Sequence, residues 1–254
     1  MVACNANKNH TLSIYHFLWT AIDWLYPPYC GGCENPGSRW CNDCEAQTTF
    51  IDQNVICPSC GNLQNSNELC LACQNHPPAY KQVRSVAIYA GAIREAIHSL
   101  KYRRNLALGD IFGNYLINVI LINRWEFDLV ISVPLSTNRF RERGYNQSNL
   151  LALPIALAFK TPFQPGALKR TRQTTSQVNL SGIERHKNLE NAFSANPKQV
   201  KNKTILLVDD VITTGSTLQE CSQTLLKAGA KKVYAITLAK AVLRKKDNTL
   251  GYIN

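Results

Sequence analysis

Eight of the ten cysteines in this 254-residue chain form four Cys-x-x-Cys pairs, and these pairs constrain the fold more than any other feature. The paired residues are Cys30 and Cys33, Cys41 and Cys44, Cys57 and Cys60, and Cys70 and Cys73. A Cys-x-x-Cys turn brings two thiolates to one tetrahedral metal ion, and two such turns complete a Cys4 site. The spacing therefore predicts two zinc sites, and their closed ligand sets make them structural rather than catalytic.

Paired cysteines are also compatible with other arrangements. A disulfide framework or an iron–sulfur cluster uses similar spacings. Two zinc ions can be bound sequentially, with the first four cysteines on one ion and the last four on the other, or in an interleaved pattern; the short gaps favour the sequential one. We assign residues 29–78 to a double zinc ribbon whose stability comes from metal binding, because so short a segment has little core. We expect this core to be separate from that of the following residues.

Residues 1–28 are predicted to form an amphipathic helix that packs on the body of the protein, since apolar residues recur there at helical spacing. Asp23, two histidines and the lack of a small-residue cleavage site argue against a secretory signal. The stretch is too short and too polar to span a bilayer, and attachment to a membrane surface is the alternative. We expect a cytoplasmic protein, whose thiols stay reduced.

The net charge of +11 is unevenly distributed along the chain. Residues 1–78 carry two basic and six acidic residues, a net charge of −4, whereas the remainder carries 26 basic and 11 acidic residues, a net charge of +15. A basic C-terminal part favours an anionic partner such as a polyphosphate ligand or nucleic acid, and a solvated basic surface is the alternative. The stretch NHPPAY, residues 75–80, is the predicted linker.

Strand-like apolar runs alternate with helical patterns from residue 79 onward. The pattern predicts strands over 83–90, 128–134, 204–210 and 232–239, and helices over 93–102, 108–122 and 217–228. This alternation predicts an α/β fold with a parallel sheet flanked by helices on both faces. In such sheets ligands bind outside the carboxyl ends of the strands.

The stretch ILLVDDVITTGSTL, residues 205–218, places Asp209 and Asp210 at one such strand end. The turn that follows opens a helix, so its backbone N–H groups suit a phosphate, and Gly215 lets the backbone approach it closely. Carboxylates beside an anion site fit a sugar phosphate, whose hydroxyls they would bind, and they can support a hydrated Mg²⁺ ion. The turn has neither the Gly-Lys-Ser/Thr of a Walker A loop nor a Gly-x-Gly-x-x-Gly pattern.

VDDVITTGST resembles the phosphoribosyl pyrophosphate motif of type I phosphoribosyltransferases. The whole chain resembles the ComF family of ComFC-type competence proteins. The matching segments are the cysteine ribbons, LKY at 100–102, VPLSTNRFRERGYNQS at 133–148, LKRTRQTTSQ at 168–177, ERHKNLENAF at 184–193 and the motif at 205–218. The resemblance implies a type I phosphoribosyltransferase-like domain over residues 79–245. It also implies a glycosyltransferase reaction, in which phosphoribosyl pyrophosphate bound with Mg²⁺ gives its ribose 5-phosphate unit to an acceptor that no segment identifies.

The resemblance also implies roles for individual residues. Asp209 and Asp210 would contact the ribose 2- and 3-hydroxyls. The residues expected to hold the 5-phosphate are Thr213, Thr214, Gly215, Ser216 and Thr217. The residues expected near the pyrophosphate are Lys101, Tyr102, Arg139, Arg141 and Arg143. Residues 169–177 would form a loop that closes over the ligand with Arg170, Arg172 and Gln177. Asp209, Asp210, Arg143 and Arg170 are the catalytic candidates.

Two non-enzymatic functions compete with this hypothesis. In one, the protein handles single-stranded DNA during natural transformation and keeps the phosphate site as a sensor or a relic. In the other, the ribbons form a scaffold that recruits a helicase or a recombination protein. The negative charge of the ribbons argues against them as the main DNA contact.

Overall fold

The structure is a computed structural model that describes residues 27–171, 192–246 and 249–252. Its helices are α1 (Asn42–Ala46), α2 (Leu71–Asn75), α3 (Gly91–Tyr102), α4 (Leu108–Ile122), α5 (Thr137–Arg143), α6 (Gln147–Phe159), α7 (Pro197–Val200) and α8 (Ser216–Lys227). Its strands are β1 (Gln82–Ile88), β2 (Leu129–Ser132), β3 (Leu168–Arg170), β4 (Phe193–Ala195), β5 (Thr204–Ile212), β6 (Lys232–Lys240), β7 (Leu243–Lys246) and β8 (Thr249–Tyr252). The helix predicted over residues 1–28 lies outside the described residues, except for its last two positions.

Four parallel strands form the central sheet in the order β1–β6–β5–β2. Each of them begins and ends within two residues of its predicted bounds. Successive residues of β5 point to opposite faces, so that Leu206 and Val208 enter one apolar cluster while Ile205 and Leu207 enter the other. Helices α3, α4 and α6 cover the first face, and α8 with the antiparallel pair β3–β4 covers the second. The predicted α/β class is thus confirmed.

Strand β5 continues two residues beyond its predicted end. Val211 pairs with Ala239 and Ile212 with Lys240, and the backbone N–H of Ala241 donates to the carbonyl of Ile212 at 2.9 Å. The two aspartates therefore lie within the strand rather than at its end. The turn that leads into α8 is confined to residues 213–215.

The cysteine-rich segment adds backbone hydrogen bonds to the exposed edge of β1. The N–H of Ile51 donates to the carbonyl of Val86, and the N–H of Ile88 donates to the carbonyl of Thr49, both at 2.9 Å. Phe50 lies opposite Ala87 in an antiparallel bridge. The segment thus extends the sheet at its β1 side.

Side chains of the same segment enter the main core. The Trp40 ring meets the Phe112 ring of α4 edge-on, with centroids 5.3 Å apart. A Cβ on Gly31 would lie 2.5 Å from the Leu108 side chain, so the glycine permits the first ribbon to approach α4. The expectation that the ribbons have a core of their own is therefore wrong, because Cys30, Trp40 and Cys44 belong to the apolar cluster under the sheet.

Candidate functional site

The eight paired cysteines form two compact tetrads, and within each tetrad the Sγ atoms lie within 4.8 Å of one another. The first tetrad is Cys30, Cys33, Cys41 and Cys44, and the second is Cys57, Cys60, Cys70 and Cys73. The pairs are thus grouped sequentially along the chain, which confirms the favoured arrangement over the interleaved one.

The sulfur geometry fits tetrahedral zinc. The Sγ atoms of Cys30 and Cys44 are 3.6 Å apart, as are those of Cys60 and Cys70. Four sulfur atoms bound tetrahedrally at about 2.3 Å from a zinc ion lie roughly 3.8 Å from one another. The two sulfur atoms of a disulfide are only about 2.05 Å apart. These residues are therefore suited to hold zinc and do not form disulfides within the tetrads.

Backbone N–H groups prepare one thiol of each tetrad for metal binding. The N–H groups of Cys41 and Gly32 each donate to Cys30 Sγ at 3.4 Å, and the N–H of Cys70 donates to Cys57 Sγ at 3.4 Å. Burial raises the pKa of Cys30, but the backbone donors outweigh it and lower that pKa to about 6. The same balance lowers the pKa of Cys57 to about 6. Both thiols therefore favour the thiolate, which is the metal-binding form.

A polar cleft lies at the carboxyl end of β5. Asp209 and the turn at 213–217 line it. Gly215 has φ +81° and precedes α8, so the free N–H groups of the first turn of that helix open toward the turn. The Thr214 and Ser216 hydroxyls are 2.9 Å apart, which gives the turn a cluster of polar donors. The structure thus brings the five predicted phosphate residues and one acid together.

Asp210 is buried and both of its carboxylate oxygens are engaged. Lys101, in the last turn of α3, forms an ion pair with Oδ2, and Gln147 Nε2 of α6 donates to Oδ1 at 3.1 Å. Burial alone would raise the pKa of Asp210, but the Lys101 ammonium outweighs it and holds that pKa below its usual range. Asp210 is accordingly a fixed, ionised acceptor.

Asp209 has a different environment and is only partly buried. Its Oδ1 accepts from the Ser148 hydroxyl at 3.0 Å and from the backbone N–H of Asp210 at 2.9 Å. Burial of the carboxyl group, together with the neighbouring Asp210 charge, raises the pKa of Asp209. A cation or a hydroxyl donor in the cleft would stabilise its charged form, so this acid is poised to respond to a ligand.

The predicted pyrophosphate residues do not share one environment. Arg143 is buried, donates from Nη1 to Gln147 Oε1 at 2.7 Å and from Nη2 to the Tyr102 hydroxyl at 3.0 Å, and stacks 4.7 Å from the Tyr102 ring centroid. Arg139 and Arg141 are exposed on α5. The structure therefore joins Tyr102 and Arg143 to the Asp210 network and leaves the other two arginines at the surface.

Arg170 lies at the end of β3, with its guanidinium 5.6 Å from the Phe193 ring centroid. Burial lowers the pKa of Arg170. The other two residues predicted in the closing loop, Arg172 and Gln177, lie outside the described residues, so the loop remains a prediction.

Two polar residues of the site, Gln147 and Ser148, were not predicted from the sequence. Neither side chain is charged at neutral pH, so charge patterning does not single them out. The available signal was positional: Gly144 ends α5 with φ +78°, and Asn146 caps α6 by accepting from the Ser148 N–H at 3.0 Å. A helix that starts there places its first polar side chains toward the carboxyl end of the sheet.

Two family models match the chain: the phosphoribosyl transferase domain over residues 148–250 and the double zinc ribbon domain over residues 21–74. The DNA utilization protein YhgH of Shigella flexneri is 34% identical over 226 residues, which cover 85% of this chain and 98% of that protein. Competence protein F of Haemophilus influenzae is 30% identical over 209 residues, or 79% of this chain and 90% of that protein. The chain belongs to the ComF family.

Other similarities are more distant. Competence protein ComFC of Bacillus subtilis is 26% identical over 215 residues, covering 81% of this chain and 86% of that protein. A solved adenine phosphoribosyltransferase from Thermoanaerobacter pseudethanolicus is 14% identical, with a TM-score of 0.36 over 55% of this chain and 83% of that chain. Membership of the ComF family thus rests on the sequence relatives. In the part of the chain that the structure describes, no helix combines the length and apolar character needed to cross a membrane.

Proposed function

We propose that this protein binds phosphoribosyl pyrophosphate with Mg²⁺ and transfers its ribose 5-phosphate unit to an acceptor. The observation that carries the proposal is the shared cleft of Asp209 and the turn at 213–217. An anion site next to a carboxylate fits a ligand that has a phosphate and hydroxyls a few bonds apart. The names of the sequence relatives further support a role in DNA utilization or competence. The proposal places the protein in the cytoplasm, where the paired thiols would stay reduced.

In this proposal each part of the cleft binds one part of the ligand. The N-terminal N–H groups of α8 and the hydroxyls of the turn bind the 5-phosphate. Asp209 and Asp210 accept hydrogen bonds from the ribose hydroxyls. The carboxylate oxygens of Asp209 are of the donor type that Mg²⁺ prefers, and a bound Mg²⁺ would neutralise charge on the pyrophosphate.

The proposed reaction exchanges one bond at the ribose C1 atom for another. The bond between C1 and the pyrophosphate oxygen breaks, and pyrophosphate leaves with the electron pair. The acceptor forms the new bond to C1 and gives up its proton to solvent. Arg139 and Arg141, exposed on α5, are suited to stabilise the departing charge, since a guanidinium binds phosphate oxygens in a bidentate manner. The acceptor itself is left open.

Replacing the paired acids tests this function. We expect the double variant Asp209→Asn, Asp210→Asn to bind phosphoribosyl pyrophosphate at least about tenfold more weakly, because hydrogen bonds to a charged acceptor contribute roughly 1.5–3 kcal/mol each. Isothermal titration calorimetry in the presence of Mg²⁺ measures the change. Asp128→Asn is the matched control, since Asp128 accepts from the Thr204 N–H at the opposite end of β5.

Equal affinity of the double variant and the parent would show that the carboxylates do not bind the ribose. Turnover is tested separately by the release of pyrophosphate in the presence of purine, pyrimidine and other candidate acceptors. Binding without release would reduce the proposal to a phosphoribosyl pyrophosphate-binding protein.

A second candidate function is binding of single-stranded DNA, which is favoured by exposed aromatic and basic side chains on α3 and α5, next to the Asp210 network. Tyr102 is 57% exposed and Phe140 is 51% exposed. Arg139 and Arg141 flank Phe140, and the contact between Arg143 and Tyr102 joins α5 to the end of α3. Bases stack on aromatic side chains while arginines bind the backbone phosphates. A helicase or recombination partner remains a prediction from the sequence resemblance.

A further inference from the structure

The side-chain amide of Gln147 has one allowed orientation. Arginine has donors only, so the atom that faces Arg143 Nη1 at 2.7 Å must be the amide oxygen. The amide nitrogen then faces Asp210 Oδ1 at 3.1 Å and donates to it. The reversed amide would set N–H groups against the guanidinium and an oxygen against the carboxylate, and both contacts would be repulsive.

All three members of this chain of hydrogen bonds are buried. Gln147 is 3% exposed, Asp210 5% and Arg143 7%. Hydrogen bonds between buried groups are not readily replaced by water, so removal of one partner leaves the other without compensation. The chain therefore resists rearrangement.

The two oxygens of Asp210 are held from different elements. Lys101 of α3 pairs with Oδ2, and Gln147 of α6 donates to Oδ1. Two fixed partners, one on each oxygen, prevent rotation of the carboxylate about its Cβ–Cγ bond. Arg143 in turn fixes the amide of Gln147 and is itself fixed by the Tyr102 hydroxyl.

From these contacts we infer that Gln147 is a positioning residue: it orients the Asp210 carboxylate toward the ribose hydroxyls of the ligand, and Arg143 and Tyr102 lock its amide for that purpose. The inference rests on the proposed function, since it assigns Asp210 a ribose contact. It also gives Arg143 a role inside the protein instead of a direct contact with pyrophosphate.

A double-mutant cycle tests whether Gln147 acts through Asp210. Gln147→Met keeps the size of the side chain and removes both hydrogen bonds, so we expect affinity for phosphoribosyl pyrophosphate in Mg²⁺ to fall about tenfold. In the Asp210→Asn background the same change should alter affinity by less than about twofold, because the charged acceptor is already absent. Calorimetry gives all four affinities, and Gln164→Met, at an exposed glutamine, is the matched control.

Two further variants separate positioning from mere support of the fold. Gln147→Glu preserves shape but sets a third carboxylate against Asp210, so it should weaken binding more than Gln147→Met does. A purely structural role predicts that the loss of affinity in each variant follows a loss of Tm, so thermal unfolding by circular dichroism is measured for both. Tyr102→Phe, at a largely exposed position, removes the acceptor for Arg143 Nη2 and should weaken binding two- to threefold with the fold intact by circular dichroism.

The outcomes distinguish this inference from the function on which it rests. If the parent fails to bind phosphoribosyl pyrophosphate, the proposed function and this inference both fall. Suppose instead that the parent binds, and that Gln147→Met lowers the affinity by the same factor in the parent and in Asp210→Asn, or does not lower it at all. The proposed function then stands, and the positioning role of Gln147 is wrong.

Discussion

Gly215 is the residue whose backbone conformation shapes the phosphate turn. Its φ of +81° lies in the left-handed region, which side-chain-bearing residues adopt only at a cost. An added Cβ would lie 3.6 Å from Ile212 Cδ1 and 3.7 Å from the Tyr80 hydroxyl, which are ordinary contacts. A substitution at Gly215 therefore acts through backbone strain and through the space that the ligand needs, and not through a clash inside the protein.

We expect Gly215→Val to lower the free energy of unfolding by about 1–2 kcal/mol and to abolish measurable binding of ribose 5-phosphate. Urea unfolding and calorimetry measure the two effects. The matched control is Gly37→Val in the first ribbon, because Gly37 also has a positive φ, +108°, and none of the described atoms lies within 4 Å of its added Cβ. The control should show the strain without the loss of binding. Retained affinity in the Gly215 variant would argue against a phosphate in this turn.

At this scale the sequence predicts charged residues better than it predicts their partners. Asp209 and Asp210 stand out because an apolar run leads into two acids, and Lys101 was predicted because LKY at 100–102 resembles the ComF family. That Lys101 pairs with Asp210, and that Arg143 faces Gln147 rather than the cleft, depends on where α3, α5 and α6 meet. No local pattern contains that information.

Among the elements, the parallel strands are the most predictable, because strands buried on both faces read as continuous apolar runs. The short antiparallel pair β3–β4 was not predicted, since three-residue strands carry no detectable period. The docking of the ribbons was also missed. Trp40 in a cysteine-rich segment gives no indication that its partner is Phe112, over 70 residues along the chain.

Because the first ribbon shares the main core, loss of its zinc ion should lower the stability of the whole protein. Cys30 belongs to the apolar cluster that includes α4, so freeing the first ribbon would expose residues of the main core. We expect Cys30→Ser to bind about one zinc instead of two and to lower Tm by roughly 5 °C or more, in a single transition. Metal analysis by mass spectrometry and thermal unfolding by circular dichroism provide the readouts.

Cys4→Ser is the control for that variant, because Cys4 belongs to none of the four pairs and its loss should leave two zinc ions and an unchanged Tm. Two separate transitions in Cys30→Ser, one of them at the parent Tm, would indicate that the ribbon and the sheet unfold independently after all.

At the scale of the whole molecule, the candidate site lies at the carboxyl ends of the parallel strands. The cleft, the Asp210 network and α5 all lie near the carboxyl ends of β2 and β5. Lys81 and Lys231 directly precede β1 and β6, so they lie at the amino ends of the strands, on the opposite side of the sheet. Composition indicates that residues 79–254 are basic, but it does not indicate which of these cations lie at the carboxyl end of the sheet. That assignment requires the order of the strands and the direction of each connection.

This placement permits a test of DNA binding in the intact protein. We expect Arg139→Glu with Arg141→Glu to weaken binding of single-stranded oligonucleotides at least tenfold and to reduce the slope of log affinity against log salt concentration, because phosphate contacts release counterions. Fluorescence anisotropy over a salt series measures both quantities. Lys81→Glu with Lys231→Glu makes the same change in net charge at the amino ends of the strands and should retain most of the affinity. If the two double variants lose affinity equally, the attraction reflects net charge alone, and the surface formed by Tyr102, Arg139, Phe140 and Arg141 is not the DNA-binding face.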